Sequence, residues 1–176
     1  MVQPGDTIIN PVSGEKIVFT DTAATTNGAF VAYDYYSKEG QPIAPKHFHP
    51  IVTEEFEVIS GELSVNLNGR VHIYHAGDKL SIPPGTVHTG WNSGKGTMHV
   101  KSKISPAMAF EDYYNVAFRQ ARAGKVNKKG VPDLLQIAVL CRKTPEQLYA
   151  PKCIWGQKLF FALAAPIGKL LGYRSE

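Results

Sequence analysis

The fold of this chain is decided between Gly40 and Asn92: GQPIAPKHFHPIVTEEFEVISGELSVNLNGRVHIYHAGDKLSIPPGTVHTGWN. Within this stretch, Leu63, Val65 and Leu67 alternate with polar residues. This two-residue period is typical of a strand with one buried face. The dipeptide Asn68-Gly69 follows directly, and it suits a two-residue type I′ turn because both central residues of that turn need positive φ. The sequence therefore predicts a β-hairpin at the centre of the stretch.

Further strand-forming runs surround this hairpin on both sides. They are rich in β-branched and aromatic residues, which favour strands, and Gly and Pro turns separate them. Many short strands with frequent turns predict a mainly β fold, either a sandwich or a barrel. The predicted runs are residues 15–20, 30–36, 52–59, 71–74, 79–82 and 97–104.

Four residues of the same stretch have side chains that bind metal ions. His47 and His49 are two positions apart, so a strand would project both imidazoles to one side. Glu54 follows five residues later and can return on the next strand, and His88 comes from a Pro-Pro-Gly turn that leads into another strand. Three neutral imidazoles and one carboxylate suit a divalent Fe, Mn, Co, Ni, Cu or Zn ion.

The spacing of these residues resembles the two sequence motifs of the cupin family. The first motif corresponds to residues 40–61, with one more residue than usual between Gly40 and His47. The second motif corresponds to residues 77–92, and a short spacer of 15 residues separates the two, as in small microbial cupins. The matching positions are Gly40, His47, His49, Glu54 and Gly61 in the first motif, and Gly77, Pro83, Gly85, His88 and Asn92 in the second.

The resemblance covers about residues 28–104 and implies a cupin jelly-roll β-barrel. It also implies that one divalent transition-metal ion is held by His47, His49, Glu54 and His88, and that Glu54 can leave the ion and serve as a catalytic base. Cupins with this ligand set resemble Fe(II) or Mn dioxygenases, and also isomerases, decarboxylases and lyases. We therefore expect a dioxygenase-like, metal-dependent enzyme that acts on a small organic molecule inside the barrel. The alternatives are a non-catalytic metal-assisted binding or sensor protein, a metal-dependent isomerase or decarboxylase, and a barrel that the metal only stabilises.

Other residues of similar chemistry compete for these roles. Glu55 would point to the opposite face of its strand, and Glu57 is interpreted as a solvated or cross-strand partner, so motif spacing favours Glu54. Three further histidines are interpreted as surface or core residues, and seven large side chains are candidates either for the pocket lining or for the core. The histidines are His72, His75 and His99, and the lining candidates are Phe30, Tyr33, Tyr35, Phe56, Ile73, Trp91 and Met98.

The charge and the periodicity change near residue 104. Residues 1–104 carry a net charge of −2 and residues 105–176 carry +6, which predicts a boundary near residue 104. The resemblance then implies a cupin barrel domain over residues 1–104, and the helical periodicity predicts a C-terminal α-helical extension over residues 105–176. Ser105-Pro106 suits a helix start and Gly124 a helix end, and Asp133 can cap a second helix through Arg142. Residues 144–147 fit a capping box for a third helix, and residues 154–171 predict a final helix that is broken or bent at Pro166.

The final helix contains an apolar segment at residues 159–167 that is too short to span a bilayer. We expect it to pack on the barrel or on a second subunit, which would make the protein a homodimer. The alternative is peripheral contact with an anionic membrane, because basic residues surround the segment. Nucleic-acid binding is not expected. The first residues do not resemble a signal peptide and the two cysteines, Cys141 and Cys153, do not form a disulfide framework, so a cytoplasmic protein is expected.

Overall fold

The computed structural model describes residues 2–144 and 147–175, and its strands form two antiparallel sheets that line a common cavity. The larger sheet has the order β1-β2-β3-β9-β4-β7, and the smaller has the order β6-β5-β8. The strands are β1 Thr7–Ile9, β2 Lys16–Asp21, β3 Val31–Ser37, β4 Thr53–Ser60, β5 Glu62–Leu67, β6 Arg70–His75, β7 Lys79–Ile82, β8 His88–Asn92 and β9 Met98–Ser105.

Period-two alternation places the apolar side chains between the two sheets. Strand β3 alternates strictly between buried and half-buried residues along its seven positions, as expected for a strand with one face on the core. Burial of these apolar groups is the main favourable term that holds the sheets together. The fully buried side chains of the barrel include Ile17, Phe19, Val31, Tyr35, Val58, Leu63, Met98, Val100 and Ile104.

The predicted hairpin is confirmed as β5–β6, with Leu67 paired to Arg70 across the turn. Asn68 and Gly69 both have positive φ, 49° and 96°. Gly61 joins β4 to β5 with a φ of 85°, and a Cβ on it would lie 2.9 Å from the Met98 Cα. A glycine is therefore needed at residue 61 both for the backbone conformation and for the close approach of β9.

In the described part of the chain after the barrel, the helices are α1 Phe110–Arg122, α2 Leu134–Lys143 and α3 Ile154–Leu170. The predicted start of the first helix at Ser105-Pro106 is wrong, because β9 continues through Ser105, which pairs with Thr53 of β4. The helix begins four residues later at Phe110, without a side-chain cap. The predicted cap of the second helix is confirmed, since the Asp133 carboxylate accepts hydrogen bonds from the backbone N–H groups of Leu135 and Gln136.

The last part of the chain is helical from Ile154 to Leu170, and Pro166 lies inside this helix without ending it. The predicted third helix is not formed over residues 147–153, which are bends and one bridge. Two positions of its capping box, residues 145 and 146, lie outside the described residues. Cys141 is buried, Cys153 is exposed, and neither forms a disulfide.

Helix α3 packs on α2 through its small residues. Ala164 and Ala165 are buried with Ala138 and Val139 of α2 in a cluster separate from the barrel core. A Cβ on Gly168 would lie 2.8 Å from the Val139 Cγ2, so a side chain there would push the helices apart. Phe161 is partly buried against this cluster, whereas most other large apolar residues of α3 are exposed. Within the described ranges, no helix has the length and apolarity that crossing a membrane requires.

Candidate metal centre

Four side chains converge at one point inside the barrel, and they are the four that the sequence singles out. Each of His47, His49, Glu54 and His88 offers a ligand atom, and these atoms lie within 4.8 Å of one another. Glu54 Oε2 is 2.7 Å from His88 Nε2 and 3.5 Å from His49 Nε2. Three of the four residues are buried, and His47 is half-buried. The arrangement is compatible with a single metal ion held by three nitrogens and one oxygen.

Main-chain pairing brings the first and last of these residues together. His47 and His88 exchange both backbone hydrogen bonds, at 2.9 and 2.8 Å, in an isolated antiparallel bridge. The strand predicted over residues 47–49 is thus reduced to single bridges at His47 and Phe48. Glu54 reaches the same point from β4, where residue 54 faces inward opposite Ile82 of β7 and Ile104 of β9.

The outer ring nitrogens fix the tautomer of all three imidazoles. His47 Nδ1 contacts the Pro45 carbonyl oxygen at 2.7 Å, and His88 Nδ1 contacts the Thr86 carbonyl oxygen at 2.9 Å. His49 Nδ1 likewise contacts the Gln147 carbonyl oxygen. A carbonyl oxygen can only accept a hydrogen bond, so each Nδ1 carries the proton and each neutral ring presents an Nε2 lone pair. The three lone pairs belong to the atoms that face the common point.

These lone pairs fit a cation at the centre. His47 Nε2 and His49 Nε2 are only 3.0 Å apart, and two lone pairs at that distance repel each other unless a proton or a metal ion lies beside them. His88 Nε2 is buried and has no hydrogen-bond partner that satisfies distance and angle among the described residues, although it lies 2.7 Å from Glu54 Oε2. A buried, unsatisfied nitrogen is costly unless a ligand completes it. The chemistry of the donor set therefore suits a divalent transition-metal ion.

Burial and mutual contacts shift the pKa values of His47, Glu54 and His88. Burial, followed by the neighbouring imidazoles His49 and His88, lowers the pKa of His47 to about 4. Burial alone would raise the pKa of Glu54, but contacts with the His49 and His88 imidazoles outweigh it and hold the pKa well below its ordinary value. For His88, burial opposes and the Glu54 carboxylate favours the charged form, and the pKa is raised. Glu54 is thus held as a carboxylate, the form that can bind a cation.

The C-terminal extension also contacts the candidate metal centre. Besides the Gln147 carbonyl contact to His49, the backbones of Phe48 and Tyr149 exchange hydrogen bonds of 2.9 and 3.0 Å. The ring of Phe110, the first residue of α1, lies 5.5 Å from the His49 ring, centroid to centroid. The extension therefore holds the Nδ1 atom of His49, whereas the Nδ1 atoms of His47 and His88 contact carbonyls of residues two positions earlier in the chain.

The four residues line a cavity of about 410 Å³. The barrel contributes apolar walls from both sheets, including Phe56, Leu63, Val65 and Ile82. Of the side chains predicted as possible lining, Phe56 lines this cavity, whereas Tyr35 and Met98 are part of the buried core. The interpretation of Ile73 as lining or core is wrong, since it is 55% exposed on the outer side of β6.

Several cavity residues carry no motif in the sequence and were not predicted. The extension closes one side of the cavity with Phe110, Tyr113 and Tyr114 of α1 and with the loop before α2. Glu15 lines the cavity from the position just before β2, where its carboxylate accepts hydrogen bonds from Tyr35 Oη at 2.6 Å and Ser13 Oγ at 2.5 Å. Burial raises the pKa of Glu15 against these two hydrogen bonds. No local pattern could identify them, because only the fold brings them to the cavity.

The other carboxylates and histidines that the sequence offered as alternatives lie away from the candidate metal centre, as expected. Glu55 points outward and pairs with Lys103 at 3.0 Å, and Glu57 pairs across strands with Lys79 at 3.5 Å. The remaining histidines are also outside the cavity lining. His72 and His75 are exposed, and His99 contacts Asp34 at 2.6 Å and stacks on Tyr36.

Comparison with known proteins agrees with this architecture. The family model for the cupin domain (Cupin_2) matches residues 36–102, a range that contains all four converging residues. The chain contains a cupin domain. An RmlC-like cupin from Shewanella frigidimarina has the same fold, with a TM-score of 0.50 and 22% identity, over 61% of this chain and 90% of that one. The predicted cupin jelly roll with a C-terminal helix is therefore confirmed.

Two further relatives were found. An oxidoreductase from Arthrobotrys oligospora is 32% identical over 142 residues, which is 74% of this chain but 56% of that protein. The chain thus spans about half the length of this curated relative. A conserved protein with a double-stranded β-helix domain from Klebsiella pneumoniae is 28% identical, with a TM-score of 0.46, over 61% of this chain and 83% of that one.

Proposed function

We propose that this cupin domain is a metal-dependent, dioxygenase-like oxidoreductase that acts on a small organic molecule in its cavity. The observation that carries the proposal is the arrangement of three imidazoles whose Nδ1 atoms face carbonyl oxygens, so that every Nε2 is directed to Glu54 and the cavity. The relative named as an oxidoreductase supports the same class of reaction. His47, His49, Glu54 and His88 would hold the ion, which is most consistent with Fe or Mn for this chemistry.

When bound, such an ion would supply Lewis-acid polarisation of a chelating enolate or carboxylate and one-electron redox chemistry. The protein would position the substrate and supply the charged groups around it. Apolar side chains such as Leu63, Val65 and Ile82 surround the ligand atoms and exclude water from them. The exposed Lys46 and Lys129 belong to the cavity lining and favour a substrate with a negatively charged group.

Glu54 is proposed as the catalytic base. Its Oε2 atom is the carboxylate oxygen that contacts both His49 and His88, so a proton taken from the substrate would arrive beside two imidazoles. The low pKa of Glu54 makes it a weak base while those contacts persist. Movement of the carboxylate away from the imidazoles would raise its pKa and make it a better proton acceptor.

The helical extension is proposed to work with the barrel as one functional unit. Phe110, Tyr113 and Tyr114 of α1 form a wall of the cavity, and the segment at 147–150 contacts the His47–His49 segment. Residues 105–176 would therefore contribute to substrate shape selection, in addition to the metal ligands of residues 1–104.

The test begins with protein that is stripped of metal, reloaded with Fe(II) under anaerobic conditions and then exposed to oxygen. The panel of chelating substrates consists of apolar β-diketones, of catechols and of 2-oxo acids. Oxygen uptake is measured with an electrode, and the products are identified by mass spectrometry. We expect oxygen uptake with at least one class of compound. Glu54→Gln should lower the rate by about 100-fold or more, as for loss of a general base. Glu57→Gln is the matched control and should retain the rate, because Glu57 pairs with Lys79 on the outside.

Two other outcomes would contradict the proposal in distinct ways. A metal-loaded protein that binds panel compounds and returns them unchanged would be a binding or sensor protein. Conversion of a compound without oxygen, and equally well with redox-inactive Zn(II), would indicate an isomerase or decarboxylase.

A further inference from the structure

Helix α3 presents a continuous apolar stripe to solvent. Trp155, Leu159, Leu163 and Ile167 recur at intervals of four residues, so they lie along one side of the helix, and Leu170 extends the row. Trp155 is 75% exposed, Leu163 63% and Leu170 88%. These five residues are called the α3 stripe below. A row of large apolar side chains this exposed marks a contact surface.

The stripe is not a core face that could fold back onto the barrel. The opposite side of α3 already packs on α2 through Ala164, Ala165 and Gly168. The start of the helix is also fixed, because the Gln157 side chain exchanges two hydrogen bonds with the Ala150 backbone, at 2.9 and 3.0 Å. Rotation of the helix to bury the stripe would break both sets of contacts.

The charge around the stripe has one sign. Residues 147–175 contain Lys152, Lys158, Lys169 and Arg174 and no Asp or Glu, although Glu146 and Glu176 stand on either side of this range. None of the four cations takes part in an ion pair among the described residues. Two copies joined through their stripes would bring like charges together, whereas an anionic surface would be complementary to them.

We propose that α3 docks on the surface of an anionic lipid bilayer, with the α3 stripe inserted among the acyl chains and the lysines at the headgroups. Three features match an interfacial helix rather than a spanning one: an apolar row that contains Trp155, flanking lysines, and a length of 17 residues that does not allow it to cross. Binding would combine burial of the apolar row with attraction of each lysine to the negative leaflet.

Vesicle co-sedimentation tests this with phosphatidylcholine vesicles prepared with and without phosphatidylglycerol. The full chain should bind the anionic vesicles, weakly or not at all the neutral ones, and less as salt is raised. Replacement of Lys152, Lys158 and Lys169 by Ser should weaken binding by about fivefold per lysine at low salt. The matched control replaces three exposed lysines elsewhere, Lys95, Lys101 and Lys125, by Ser and should leave most of the binding intact.

Fluorescence gives an independent measurement of insertion. The chain has two tryptophans, so Trp91→Phe leaves Trp155 as the single reporter. Its emission should shift to the blue with anionic vesicles, and brominated acyl chains should quench it. The double variant Leu159→Ser, Leu163→Ser changes only exposed side chains and should abolish both signals.

Two results would overturn the proposal. One is absence of binding to anionic vesicles at low salt by the folded wild-type chain. The other is a wild-type dimer in analytical ultracentrifugation that the Leu159→Ser, Leu163→Ser variant dissociates while vesicle binding is unaffected, since a second copy would then cover the stripe.

Discussion

The metal end of the cavity and its helical wall are built in different ways. At the metal end, His47 and His88 are joined by backbone hydrogen bonds and Glu54 faces inward by strand alternation, so the positions follow from local pattern and pairing. The helical wall consists of residues that touch the barrel over long sequence distances, such as Phe110 against His49. The motifs therefore specify the candidate ligands, whereas the extension specifies their surroundings.

His49 is where the two regions meet. Its Nε2 faces Glu54 in the barrel, and its Nδ1 contacts the Gln147 carbonyl in the extension. An outer hydrogen bond of this kind fixes ring orientation and tunes the affinity of a ligand for metal. The candidate metal centre is therefore not a property of the barrel alone, and the following experiments measure how strongly the two regions depend on each other.

The largest effect is expected from Phe110→Ala, which removes a buried ring between α1 and the metal centre. Loss of a buried phenylalanine side chain should lower the free energy of unfolding by about 3–5 kcal/mol, measured by urea titration. Leu134→Ala on α2 is the control, because Leu134 is 67% exposed and its truncation should change stability by less than about 0.5 kcal/mol. Equal stability of the two variants would show that the extension does not support the barrel.

Next in size is the loss of a ligand from the barrel side. We expect His88→Ala to weaken binding of Mn(II) or Co(II) by at least about 100-fold, or about 2.7 kcal/mol, since outer-sphere changes alone reach that range. Isothermal titration calorimetry gives the dissociation constant. His72→Ala removes an exposed histidine of the barrel and should retain wild-type affinity. Unchanged metal affinity in His88→Ala would show that the four residues are not the metal site.

A smaller effect should come from the turn that joins β4 to β5. In Gly61→Ala the new Cβ would lie 2.9 Å from the Met98 Cα, and its backbone has a φ of 85°. Gly96→Ala has a similar φ of 78° but open space around the Cβ. Both substitutions carry backbone strain, so the difference between them isolates the steric contact, which we expect to cost about 1–3 kcal/mol. Identical urea midpoints would mean that β9 can shift to accommodate a methyl group.

The smallest effect is a change in the pH dependence of stability caused by Glu15. Burial raises the pKa of Glu15 in the folded protein above its ordinary value of 4.5. The folded state therefore binds this proton more tightly, and its contribution to stability is full below pH 4.5 and is lost as pH rises through the raised pKa. Glu15→Gln should remove that loss, so its stability relative to wild type should increase with pH. Glu39→Gln, at an exposed site, should follow the wild-type curve.

Most of the barrel could be predicted from its sequence because its signals are local. The hairpin at Asn68-Gly69, the inward Glu54 and outward Glu55, and the Asp133 cap each depend on alternation or turn chemistry within a few residues. The start of α1 could not be predicted this way. Ser105-Pro106 suits a helix start, but the pairing of Ser105 with Thr53 keeps the chain in the sheet. Tertiary pairing therefore overrides a local preference at this position.

The residues of the candidate site also differ in whether the sequence alone could identify them. The four candidate ligand residues could be identified from sequence, because two motifs carry them at fixed spacing within short turns and strands. Glu15, Tyr113 and Tyr114 reach the cavity only through the fold, and the burial that raises the pKa of Glu15 has no local cause. The exposure of the α3 stripe is also a tertiary result, since an apolar segment alone does not show which side a neighbouring helix covers. Short-range sequence patterns determine which residues are candidate ligands and to which side of a strand their side chains point. The burial and the charge environment of these residues depend on parts of the chain that are distant in sequence.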